Sequence, residues 1–161
     1  MASMHKSTEG ITLRRARADD QPIIRAMVRR AGLNPINVRW PNFWVAEAAM
    51  DAQQLIVGVA QLRPHANGIR ELASLAVAPE WQHRGIGAQL TRQLLDGQRG
   101  PIYLFCQSGL AGYYARFGFH LVTRRELPAP LARMHRLVGV LVWMEARLGH
   151  HPEPIVPMRW V

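Results

Sequence analysis

Gln82, Gly85 and Gly87 form the grouping in this chain with the plainest chemical meaning. They lie in SLAVAPEWQHRGIGAQL, residues 74–90, after an apolar run and at the opening of a helical pattern. The first N–H groups of a helix have no intrahelical acceptor and sit at the positive end of its dipole, so such a turn suits an anion, phosphate above all. Gly85 and Gly87 carry no side chain to block the approach, while His83 and Arg84 add donors beside it.

Spacing separates the loops that hold phosphate. A P-loop ends in Gly-Lys-Ser/Thr, which is absent here. A dinucleotide fingerprint wants a tight strand-to-helix turn, a third glycine and a later acidic residue. Leu90 stands where that glycine would be, the connection APEWQHR is too long, and the next strand runs into FCQS without a carboxylate.

The elements around the turn follow from periodicity. ITLRRA is expected as a first strand, and ADDQPIIRAMVRRAGL as a helix with Asp19 near its N-cap, Pro22 in its first turn and Gly32 at its end. NPINVRWPNF is expected as loop with a short helical turn. FWVAEA, QLIVGVAQLR and IRELASLAV, separated by the turns MDAQ and PHANG, predict an antiparallel meander. Residues 87–96 predict a helix, IYLFCQ a strand, GLAGYYARF a helix and FHLVTR a strand. A long apolar helix is expected over 128–148, then PIVPMRW as a last strand that Pro157 would confine to an edge or a bulge. The order implies a mixed α/β fold in one domain spanning 1–161, with residues 1–10 frayed and no linker.

Gln82-x-x-Gly85-x-Gly87 resembles the (Arg/Gln)-x-x-Gly-x-(Gly/Ala) signature of the GNAT superfamily of N-acetyltransferases. LASLAVAPEWQ is similar to that family's fourth strand and its proline turn, and GYYARFGF at 112–119 to its second signature. The resemblance covers about residues 11–124 and thins over 128–161. It implies a central, mostly antiparallel mixed sheet flanked by helices, with acetyl-CoA as co-substrate and an amine as acceptor. By resemblance the pyrophosphate is held by Gln82, His83, Arg84, Gly85, Ile86, Gly87 and Ala88. The same likeness assigns the pantetheine arm to the main chain of Leu75, Ala76 and Val77, with an oxyanion donor near Leu75.

Acetyl transfer to an ammonium requires a base, an oxyanion donor and a proton for the departing thiolate. The resemblance places Glu71, eleven residues before Gln82, where histone-type members keep a general base. The alternative is a strand glutamate that faces solvent or pairs with Arg70 or another arginine. Alternation along the strand would put Glu71, Ala73, Leu75 and Val77 on one face. Tyr114 matches the signature tyrosine and is the candidate acid; its other reading is core packing, a role expected instead of Tyr113. Gln107 and Ser108 replace the family's asparagine at the end of the fifth strand, and Ser108 is expected either at the cofactor or as a helix cap. Cys106 is expected to be a small buried residue. The 128–148 helix has three readings: a wall of the acceptor pocket, a dimer face, or a cover over the sheet.

The chain of 161 residues is large enough for one proper core, and 48% of it is hydrophobic. Its formal charge of +9 is carried by arginine, Lys6 being the lone lysine. These arginines are dispersed, with Arg14, Arg15 and Arg17 the densest group, which fits solvated charge or a polyphosphate ligand better than a nucleic-acid footprint. A single cysteine excludes an intrachain disulfide and makes a reducing, cytoplasmic setting the expectation. MASMHKSTEG has no apolar signal core, and the longest apolar run, LVGVLVWM, is far below the ~20 residues of a membrane span. No HExxH or cysteine cluster accompanies the seven histidines, so no metal is expected. Two other functions compete: an acyl-CoA sensor of the same fold, and a basic nucleic-acid-binding protein.

Overall fold

A computed structural model of the chain describes residues 10–50, 53–137 and 153–161. Its strands are β1 (Ile11–Arg15), β2 (Phe43–Met50), β3 (Gln53–Pro64), β4 (Arg70–Val77), β5 (Ile102–Gln107), β6 (His120–Leu121) and β7 (Ile155–Trp160). Helices are α1 (Gln21–Arg30), α2 (Ile86–Leu95), α3 (Ala111–Ala115) and α4 (129–137). The strands form a mixed, mostly antiparallel sheet in the order β1-β2-β3-β4-β5-β7-β6. The chain divides into two compact units, Met1–Arg63 with Leu72–Gln98, and Pro64–Glu71 with Arg99–Val161.

In the first unit β1 pairs antiparallel with β2, and β2 antiparallel with β3; the second pairing is one the meander predicts. Ile24 and Val28 of α1 are buried with Phe43, Val45, Val59 and Ala76, because their spacing of four puts them on one helix face. The helix starts differently from the expectation. Asp20, not Asp19, is the organising acid: its carboxylate accepts the Arg17 N–H at 2.6 Å and pairs with Arg14 at 2.7 Å, while Arg14 also reaches Glu47. A 3-10 turn at Ala18–Asp20 therefore precedes α1. Arg14 holds the Asp20 carboxyl below its usual range, outweighing the opposite effect of desolvation.

Gly58 in β3 sets how closely α2 can lie. A Cβ there would meet Ile86 Cγ2 at 2.9 Å and Leu90 Cδ1 at 3.1 Å, contacts that only glycine avoids. Ile86 and Leu90 are buried, so this helix is fixed by its apolar face from its first residue onward. Helix, sheet and glycine together decide where the first N–H groups of α2 sit.

In the second unit β4 pairs parallel with β5, Arg70 with Ile102 and Glu71 with Tyr103. β5 pairs antiparallel with β7 along its whole length. β7 is thus not an edge strand, contrary to the expectation from Pro157. The strand beyond it, β6, has two residues, and its ladder stops at Leu121 opposite Met158. At the next pair Val122 N–H donates to Pro157 O at 3.1 Å, but Pro157 has no N–H to return. That missing donor ends β6, and the remainder of FHLVTR leaves the sheet for a 3-10 turn at Arg124–Glu126.

GLAGYYARF is also less regular than predicted, with a 3-10 turn at Ser108–Leu110 before the single turn of α3. Leu131 of α4 is fully buried beside Tyr103, Val122 and Leu127, and His135 stacks on Phe105 with ring centroids 5.5 Å apart. The described part of α4 covers β5, which favours the plainest of its three readings. The rest of the predicted 128–148 helix, the predicted fraying of 1–9 and part of the MDAQ turn lie outside the described residues.

Candidate functional site

The glycine turn joins β4 to α2 through a 3-10 turn at Pro79–Trp81. Its backbone bends through two left-handed residues, His83 at φ 61° and Gly85 at φ 81°. A left-handed conformation costs a non-glycine residue about 1–2 kcal/mol, and such strain gathers at functional turns. No side chain caps α2, whose first backbone acceptor, Gly85 O, is taken by Gln89 N–H at 3.0 Å. The amides of Ile86, Gly87 and Ala88 precede that bond and have no earlier helical carbonyl to meet. A Cβ placed on Gly85 would find nothing within 4 Å, so the approach to these amides is open. An anion fits that cradle.

The side chains of the turn brace it. Gln82 Nε2 donates to Val77 O at 3.1 Å, tying the turn to the end of β4. Arg84 stacks over Trp81 at 4.5 Å and donates to Glu80 O at 3.1 Å. Beside the turn, a groove of about 190 Å³ runs between Met27 and Arg30 of α1, with Ala31 at its end, and Ala76, Val77 and Gln82. Of the residues expected to hold the cofactor, Ala76, Val77 and Gln82 therefore line one groove.

β4 carries a further irregularity. Ser74 has φ 55°, which interrupts the extended backbone between Ala73 and Leu75 that simple alternation assumed. Burial still alternates from Leu72 to Val77, with Leu72, Ser74 and Ala76 buried. Ser74 is anchored from the neighbouring strand, where the Gln61 amide oxygen accepts from Ser74 Oγ at 2.9 Å and from Arg63 Nη2 at 3.1 Å. Gln61 is fully buried, so this polar group fixes the kink against the core.

Glu71 lies in the second unit and is 5% exposed. Its Oε2 is 2.7 Å from His65 Nε2, across the turn that closes β3 onto β4. His65 N–H donates to Ile69 O at 2.7 Å, closing that turn around Asn67 and Gly68, both left-handed. The solvent-facing alternative for Glu71 is excluded by its burial. His65 is the residue that sequence reasoning missed, having been passed over among the isolated histidines. The signal was its place at the head of the HANG turn, which brings the two strand ends together.

Tyr114 is 8% exposed and Tyr113 half-buried, so the core packing expected of Tyr113 falls more to Tyr114. Tyr114 packs edge-on against Tyr113 and Phe119, at centroid distances of 5.0 and 6.1 Å. Burial, with lesser effects of Tyr113 and Cys106, pushes its phenol well above the usual range and holds the proton on it. Cys106 is buried as predicted, and desolvation raises its thiol to about 11. Ser108 caps neither the 3-10 turn nor α3; it is exposed, and its N–H donates to Pro154 O at 2.8 Å. Among the described residues no group of three or more His, Cys, Asp or Glu could hold a metal, and no helix is long and apolar enough to cross a membrane.

A kinked β4 thus runs through a braced glycine turn into an uncapped helix whose first amides are open to an anion. Residues 39–121, just over half of the 161, match the model of the acetyltransferase (GNAT) domain, and the chain belongs to that family. The chain matches no curated protein sequence.

Its fold is shared with solved structures. N-acetylglutamate synthase from Neisseria gonorrhoeae, complexed with coenzyme A and N-acetyl-glutamate, aligns at a TM-score of 0.71 and 21% identity over 93% of this chain and 34% of that one. This chain thus spans about a third of the synthase's length. A Mycobacterium tuberculosis protein in complex with CoA and NLQ aligns at 0.67 and 24% identity, covering 93% and 98% of the two chains. An acyl-CoA N-acyltransferase from Pseudomonas aeruginosa aligns at 0.60 and 16%, covering 94% and 99%.

Proposed function

We propose that this chain transfers the acetyl group of acetyl-CoA to a primary amine, on a small molecule or a protein, by direct attack in a ternary complex. The observation that carries the reading is the open, uncapped start of α2 behind the left-handed Gly85, in a chain of the GNAT family. In this reading the amides from Gly85 to Ala88 take the diphosphate, Gln82, His83 and Arg84 shape its rim, and the main chain of Leu75, Ala76 and Val77 meets the pantetheine arm. Ser108, at the end of β5, is assigned a contact to the same arm.

Glu71 accepts a proton from the substrate ammonium, and the freed amine attacks the thioester carbonyl. The N–H of Leu75, one residue past the left-handed Ser74, donates to the oxyanion. Collapse breaks the C–S bond, and Tyr114, kept protonated by burial, gives its proton to the thiolate. The attacking nitrogen loses its second proton to solvent as the amide forms; the products are an amide, free coenzyme A and that proton, and the proton on Glu71 returns to Tyr114 through solvent. We further read the chain as one functional domain acting in a reducing, cytoplasmic setting.

The test is thiol release from acetyl-CoA with a panel of amino acids, polyamines, small amines and peptide N-termini. Amino acids come first on the panel because the Neisseria neighbour was solved with N-acetyl-glutamate. Release that needs both acetyl-CoA and an amine is expected. Binding of coenzyme A without release by any amine would point instead to an acyl-CoA sensor.

A further inference from the structure

We propose that Arg30, in the last turn of α1, is a second anchor for the coenzyme's diphosphate. The inference rests on the reading of the glycine turn given above and adds a residue from a different element.

Arg30 is the one charged residue lining the groove between α1 and the end of β4. Its walls are otherwise apolar side chains, short alanines and the Gln82 amide. Gln82 both lines this groove and opens the turn that reaches Gly85 three residues later, so the groove ends at the first residue of the turn. Arg30 is exposed and forms no hydrogen bond or ion pair among the described residues. Nothing on its own helix neutralises it, since Gln21–Arg30 carries Arg25, Arg29 and Arg30 and no acidic residue.

A ligand made of an apolar, amide-bearing arm that ends in a diphosphate matches this arrangement. The arm lies on the apolar walls, and the anion meets main-chain amides from the turn and a guanidinium from α1. Arginine suits that place because its planar fork can donate two bonds to one phosphate. An acceptor with an acidic group could use the same cation, and the binding test separates the two because no acceptor is present.

Coenzyme A is titrated calorimetrically into the full chain and its Arg30→Glu, Arg30→Gln and Arg25→Glu variants, each checked for cooperative unfolding. Arg25 is exposed on the same helix but does not line the groove, so it controls for general charge. Arg30→Glu is expected to raise Kd about 10-fold, Arg30→Gln roughly 3-fold, and Arg25→Glu less than about 2-fold. Wild-type affinity in both Arg30 variants, or an equal loss in Arg25→Glu, overturns the inference while leaving the glycine turn intact. A wild-type chain with no saturable coenzyme A binding overturns the reading of the turn, and this inference with it.

Discussion

Asp20 and Glu71 are both buried carboxylates, 7% and 5% exposed, yet their surroundings differ in kind. Asp20 accepts two bonds from the Arg14 guanidinium and one from the Arg17 amide, and Arg14 reaches on to Glu47. A guanidinium does not release its proton, so that arrangement ties β1, β2 and the start of α1 together and has no proton to exchange. Glu71 has among its partners the imidazole of His65, which can donate or accept at either nitrogen. Burial alone does not mark a catalytic acid; the chemistry of the partner separates a brace from a candidate base.

The two carboxylates should therefore fail differently when each is made an amide. Glu71→Gln is expected to lower kcat by about 10²- to 10⁴-fold, with coenzyme A binding kept, measured on the acceptor that the amine panel identifies. Normal turnover would move Glu71 to the side of Asp20. Tyr114→Phe removes only the hydroxyl from a packed ring and should cost about 10²-fold in kcat with the fold intact. Asp20→Asn should leave kcat within about 2-fold but lower unfolding stability by about 1–3 kcal/mol in denaturant titration. Gly58→Ala, which pushes on Ile86, is expected to cost about 1–2 kcal/mol and to weaken coenzyme A binding together with stability.

Acid sharpens the contrast. Because Arg14 holds the Asp20 carboxyl below its usual range, the unfolded chain binds that proton more readily than the folded one. The stabilisation is therefore complete above the unfolded carboxyl value of about 4 and is lost as pH falls through the lower folded value. The stability gap between wild type and Asp20→Asn should narrow over that window, and a gap that stays constant would contradict the assignment.

What could be read from sequence depended on how local the cause was. The glycine turn, α2, β5 and the meander were legible because periodicity and turn residues act within a few positions. Asp20 displaced Asp19 as the organising acid because Arg14 and Glu47, on two strands, chose it. Pro157 sits in an inner strand because β6 ends opposite it, a fact about the partner rather than about PIVPMRW. Tyr114 rather than Tyr113 takes the buried position because only the fold decides which of two adjacent rings meets Phe119. His65 and Gly58 had faint signals: a residue six positions from Glu71 across a tight turn, and a glycine inside an apolar strand.

The most direct measurement is calorimetric titration of coenzyme A into the wild-type chain and into Gly87→Val, at equal ionic strength and with folding of both confirmed. Saturable binding to the first and at least about 10-fold weaker binding to the second is the predicted result, since the valine side chain would stand among the amides that receive the diphosphate. Equal affinity in the two proteins, or none in either, would contradict it.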